Sequence, residues 1–287
     1  MKLSILAKNE AILLTISCLF AGFFASGILH MVISRLTSSQ AAENMGLILG
    51  EAAMLLPLFF ALRLRQQRLK TFIPWRPLSR SKWLTVIIFG VGALLILDGV
   101  SAILDQFFTI PEWLQSMEEG LLWHSNLELI LLIIAGVIVA PIIEELIFRG
   151  LLQQAMAGHY QVLLPALVGP AVFFTIFHVQ YLLYPPAAIE LLLLALTFGW
   201  IMGKTGNLLA PILMHALNNL VSLVWLGVSI DSYGLIRTDD PGTWGWFFLG
   251  AILMSAAGWQ LNKEPDFIPF AIISDGKPAG FRDKYSS

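Results

Sequence analysis

Charge is scarce in this chain: Asp, Glu, Lys and Arg make up 13% of its 287 residues, about half the share of a soluble domain. Apolar residues reach 57% and mean hydropathy is +0.78, so a water-soluble globule is excluded. The net charge of −2 gives no basis for attraction to nucleic acid or to an acidic partner. Cysteine is nearly absent. The single Cys18 excludes an intrachain disulfide and any cysteine-based zinc site. The sequence also has no internal repeat and no low-complexity stretch.

What it has instead is apolar runs bounded by charge, Pro or Gly: Ala11–Ile33, Met45–Leu62, Trp83–Leu104, Leu129–Ile143, Val162–Leu183, Ala187–Met202, Leu208–Val228 and Trp244–Leu261. They predict an all-α, polytopic membrane bundle of about eight helices. The fourth and sixth runs are short and must borrow flanking residues. Ala11–Ile33 exceeds the apolar core of a signal peptide, and no cleavage site follows it, so it reads as a mature span. The basic loop 63–82 carries Arg63, Arg65, Arg68, Lys70, Arg76, Arg80 and Lys82. Placing that loop in the cytoplasm puts both termini there too and leaves Arg35 and Arg237 as the two outer exceptions among the 17 Lys and Arg. Trp113, Trp123, Trp244 and Trp246 are placed to anchor the interfaces. The tail from Asn262 is polar and reads as loosely ordered.

The organisation follows: N-terminal helices over 1–128, a polar-bearing core over 129–228, and a last helix with its tail over 229–287. Gly46 with Gly50, and Gly199 with Gly203, form GxxxG patterns that close helix packing explains.

Ionisable groups inside spans are costly, and here they cluster. Glu144, Glu145 and Arg149 end the fourth run, Phe174 and His178 lie on the fifth, and His215, Asn218 and Asn219 lie on the seventh. Glu145 and Arg149 stand i,i+4 with the acid first, the favoured order for an intrahelical pair. Glu144 points about 100° away and lacks that partner. Glu145 is therefore assigned to structure and Glu144 to chemistry, as a base in a low-dielectric pocket. His215 and Asn219, also i,i+4, can address one point as oxyanion donors, with Asn218 a weaker candidate. Glu144 and His178 are centred on position 161, inside the turn region Gly158–Pro165. An antiparallel hairpin would set them level, able to hold and polarise a water. Glu51 and Asp98 read as interhelical hydrogen bonders. His30, His124 and His159 receive no role.

The three segments, Glu144-Glu145 with Arg149, Phe174 with His178, and His215 with Asn219, resemble the EExxxR, FxxxH and HxxxN pattern of the CPBP (CAAX protease and bacteriocin-processing, or Abi) family. Its members are intramembrane proteases related to the type II CAAX prenyl endopeptidase. The resemblance covers about Leu129 to Trp225. It implies hydrolysis of a peptide bond within the membrane, with water activated by Glu144 and His178 and an oxyanion hole formed by His215 and Asn219. It further implies membrane lipid and a membrane-embedded or membrane-proximal protein or peptide substrate as partners, and a prokaryotic plasma membrane as the site.

No cofactor is expected. The alternative is one zinc held by Glu144, His178 and His215, which would require the already paired Glu145 as base and leave Asn219 without a task. The sequence contains no HExxH, no GxGD and no serine in a GxSG context, which sets aside the other intramembrane protease classes. The alternative function is a non-proteolytic scaffold, assembly or immunity factor on the same fold, in which the polar cluster merely joins helices.

Overall fold

A computed structural model describes residues 6–71, 73–228, 235–236, 238–263 and 265–267. Helices dominate the described residues, and a lone antiparallel bridge joins Trp75 to Asn207. Among the described residues, six helices are long and apolar enough to cross a membrane. They are α1 (Lys8–Leu36), α2 (Gln40–Leu64), α3 (Arg80–Leu104), α5 (Asn126–Tyr160), α8 (Pro185–Thr205) and α9 (Leu209–Val228). The short α4 (Glu112–Glu119) and α7 (Val179–Leu182) sit in connections, and α6 (Leu163–Phe177) and α10 (Trp244–Asn262) complete the bundle. The chain is an integral, multi-pass membrane protein. Arg237, Lys2, Lys277, Arg282 and Lys284, used above to orient it, and most of the polar tail lie outside the described residues.

Local chemistry sets the element ends. Ser79 and Ser125 cap α3 and α5, each hydroxyl accepting a backbone N–H at 3.3 Å. Pro185 and Pro186 open α8, where a missing N–H costs nothing. Gly206, in the left-handed region at φ 61°, closes α8. Pro57 cannot donate to the carbonyl of Ala53, and α2 is interrupted one turn earlier, at Met54.

Two expected boundaries need correction. Hydropathy ends the fourth run at Ile143, yet α5 continues to Tyr160 over 35 residues, about 50 Å at 1.5 Å per residue. Charge at Glu144, Glu145 and Arg149 does not end this helix, because Glu145 and Arg149 are bonded to each other and to His215 and the Ala195 carbonyl inside the protein. Hydropathy carries the fifth run to Leu183, but α6 stops at Phe177, and His178 leaves helical geometry at φ −87°, ψ 54°. His178 is a helix-end residue, not a mid-span one. The expected hairpin does form: Gln161, at φ 55°, turns the chain between α5 and α6.

Two apolar cores hold the bundle. One joins Cys18 and Leu19 of α1, Leu58 of α2, Ile147 and Leu151 of α5, and Phe174 of α6. The other joins Val86 and Phe89 of α3 with Phe198 of α8, Met214 of α9 and Ala257 of α10. The GxxxG glycines act as expected: a Cβ on Gly50 would collide with Ser26 of α1, and one on Gly203 would come within 2.5 Å of Leu163. Replacing Gly50 with Val should therefore cost about 1–3 kcal/mol through overpacking between α1 and α2. Thermal unfolding of the detergent-solubilised protein checks this; an unchanged midpoint would show that α1 is free to move away.

Candidate active site

The site begins with an irregularity in α5. Wide i→i+5 turns run over Ile133–Val139 and again over Leu146–Leu152, flanking a regular segment, Ala140–Glu145, that carries both acids. Such turns insert a residue and rotate the rest of the helix, and they are frequent at functional sites. In the first wide turn the Ala140 N–H reaches the Ala135 carbonyl. The next donor in that register would be residue 141, which is Pro and has no N–H, so the carbonyl of Gly136 is left open. Asn219 of α9 fills it, its Nδ2 donating at 2.8 Å. Asn218 in turn donates to Asn219 Oδ1 at 3.1 Å and holds the amide in place.

Glu145 and Arg149 are both sealed from solvent and paired at 2.8 Å, the structural role read from their spacing. Arg149 also donates from Nη2 to the Ala195 carbonyl of α8 at 2.8 Å. Its guanidinium lies 5.1 to 5.9 Å from the ring centres of Phe148, Phe174 and Phe198, an aromatic cage that favours a cation. The same Glu145 oxygen accepts from His215 Nδ1 at 3.0 Å, a contact across 70 positions that local spacing does not encode. His215 also stacks on Phe198, with centroids 4.9 Å apart.

That bond decides the histidine's chemistry. A carboxylate only accepts, so Nδ1 carries the proton, and a neutral His215 presents a bare Nε2. This Nε2 lies 3.9 Å from Glu144 Oε2. A neutral imidazole held this way cannot donate from Nε2 to an oxyanion; donation there requires the imidazolium, held between Glu145 on one side and Glu144 on the other.

Glu144 is 8% exposed, and its Oε2 is buried with no hydrogen-bond partner. His178 Nδ1 donates to the Phe174 carbonyl at 2.7 Å, which turns Nε2 outward as an acceptor in the neutral ring. No hydrogen bond joins His178 to Glu144 among the described residues; the Phe174 ring stands by both imidazoles, 4.3 Å from the His178 ring and 6.0 Å from that of His215. Glu144, Glu145, Arg149, Phe174 and His215 thus form one cluster, with His178 on its flank and Asn219 tied to its α5 wall.

No set of three His, Cys, Asp or Glu side chains converges as a metal would require among the described residues. Glu144, His178 and His215 are accordingly not gathered around one point among the described residues. Sequence reasoning missed Phe148, Phe198 and the Ala195 carbonyl, which read as ordinary span residues. Asp98 does hydrogen-bond, accepting from the backbone N–H groups of Leu235 and Ile236 at 2.9 Å. Glu51 departs from expectation: its Oε2 is buried with no partner.

No curated protein and no solved structure matches the chain. A family model does, that of the type II CAAX prenyl endopeptidase Rce1-like proteins, over residues 126–221. That stretch is about a third of the chain and contains α5, α6, α8 and every polar group of the cluster. Residues 126–221 are therefore similar to the type II CAAX prenyl endopeptidase Rce1-like proteins, in line with the family that the three motifs resemble.

Proposed function

We propose that the chain is an intramembrane endopeptidase in which Glu144 is the base, His178 helps hold the water, and His215 and Asn219 stabilise the oxyanion. The observation that carries this is the buried Glu144 oxygen without a partner, 3.9 Å from an imidazole nitrogen fixed from behind by Glu145. A carboxylate oxygen with no partner of its own, facing an imidazole nitrogen, is placed to accept a proton from a water between them.

In the reaction, water gives a proton to Glu144 and its oxygen attacks the peptide carbonyl carbon. Negative charge gathers on the carbonyl oxygen, where His215 Nε2–H and the second N–H of the Asn219 amide donate. When the intermediate collapses, the C–N bond breaks and Glu144 returns the proton to the leaving nitrogen. Carboxylate and imidazole thus finish as they began. The reading is metal-free, and the substrate class is a membrane-embedded or membrane-proximal peptide. The family name supports extending this to a C-terminal, lipid-bearing peptide.

The test is cleavage of a fluorogenic membrane peptide by the purified protein in liposomes, with and without a strong zinc chelator. Wild type should cleave, and the chelator should leave the rate unchanged. His215→Ala should lower kcat about 10²–10³-fold, the usual effect of losing one oxyanion donor. Full activity in His215→Ala would overturn the assignment, and loss of wild-type activity to the chelator would replace the metal-free reading.

A further inference from the structure

The two wide turns of α5 close in different ways. In the second, the Gln153 N–H reaches the Phe148 carbonyl, and the next carbonyl, that of Arg149, takes a donor from α5 itself: Gln154 Nε2, five positions on, at 2.8 Å. In the first, the Ala140 N–H reaches the Ala135 carbonyl, and the residue five positions after Gly136 is Pro141, which has neither an N–H nor a polar side chain. Neither the wide nor the regular register can supply Gly136 with a backbone donor. Inside a membrane span, a carbonyl left so must be satisfied from within the protein.

The donor comes from another helix. Asn219 Nδ2 of α9, 83 positions along the chain, bonds the Gly136 carbonyl at 2.8 Å, and this uses one N–H of the amide. Asn218 Nδ2 donates to the amide oxygen at 3.1 Å. An amide turned over would set its oxygen against the Gly136 carbonyl and its NH₂ against the Asn218 donor. The two contacts therefore fit one orientation and oppose the other.

We propose that Pro141 is a positioning residue of the reaction site: by withholding an N–H from the Gly136 carbonyl it makes Asn219 bond there, and so sets the amide with its second N–H as the donor offered to the oxyanion. Its kinetic consequence rests on the hydrolytic reading above; the seating of Asn219 does not. Pro141 and Glu144 share the regular segment Ala140–Glu145. One short stretch of α5 thus carries the base and seats a donor held by a different helix.

The experiment is Pro141→Ala in the full chain, which restores an N–H five positions after Gly136 and alters no polar side chain. Nuclear magnetic resonance of 15N-asparagine-labelled protein in micelles follows the Asn219 amide, identified by its loss in Asn219→Ala. In Pro141→Ala that signal should shift, because the new N–H competes for its acceptor. The thermal unfolding midpoint should hold or rise, since the helix gains a bond and loses an interior proline. In reporter cleavage kcat should fall about 10–100-fold at unchanged KM, less than the full loss of one oxyanion donor. In an Asn219→Ala background the same substitution should change kcat by less than about twofold, because the group it acts through is gone.

An Asn219 signal that stays in place overturns the seating. A midpoint that falls together with kcat, or equal kcat losses in the two backgrounds, would show that Pro141 serves packing and not the amide. A chain that gives the spectral and thermal responses but cleaves no reporter keeps Pro141 as the residue that seats Asn219 and sinks the hydrolytic reading.

Discussion

Glu144→Gln should lower the cleavage rate by roughly 10³-fold or more while leaving the fold intact, a transition-state loss of about 4 kcal/mol. Gln has the same shape but cannot accept the water's proton. The fold has little to lose, because Glu144 Oε2 makes no hydrogen bond and the α5 backbone around it is held by other groups. Removing a buried charge also relieves desolvation, so the unfolding midpoint should stay level or rise. The neighbouring Glu145→Gln should behave oppositely. Its oxygen receives both Arg149 and His215, so that variant should lose stability as well as activity. Parallel kinetics and thermal unfolding of the two variants separate base from brace. Equal stability losses in both would show that Glu144 too is a structural acid.

Much of this arrangement is legible from local rules, and the gaps have a common cause. The Glu145–Arg149 pair and the i,i+4 partnership of His215 with Asn219 need only helix geometry. The hairpin centred on position 161 needs only that two apolar runs pack back to back, and Gln161 makes the turn. The end of the fourth run is misplaced because hydropathy counts Glu144, Glu145 and Arg149 as polar. Ala195 and His215 partner two of them from α8 and α9, so the helix runs on.

The same blindness applies to proton placement on His215. Nothing near position 215 tells which nitrogen is protonated; a carboxylate 70 positions earlier does. The Gly136 carbonyl that seats Asn219 is open because a wide turn places Pro141 where its donor would be. Pro141 is visible in sequence, but the register that makes it matter is a tertiary outcome. Glu51 reads as a hydrogen bonder on the sound rule that buried polar groups find partners. In the fold its Oε2 is buried without one.

The second large effect concerns stability. Arg149→Met should destabilise the protein by about 3–5 kcal/mol, the usual cost of stranding one member of a buried ion pair. Methionine fills much of the arginine volume, so the loss is electrostatic: Glu145 stays sealed with no cation, the Ala195 carbonyl loses its donor at 2.8 Å, and the rings of Phe148, Phe174 and Phe198 surround an apolar chain. The double variant Glu145→Gln with Arg149→Met should recover most of this, because replacing both charges removes the burial penalty together with the attraction. Recovery of stability should not restore cleavage, since an uncharged amide at position 145 no longer supports the His215 imidazolium that the oxyanion requires. A cycle of the wild type, two single variants and the double variant, followed by thermal unfolding and by reporter cleavage, tests both halves. If the double variant stays as unstable as Arg149→Met, the aromatic cage around the guanidinium, and not its bond to Glu145, is what holds α5 to α8.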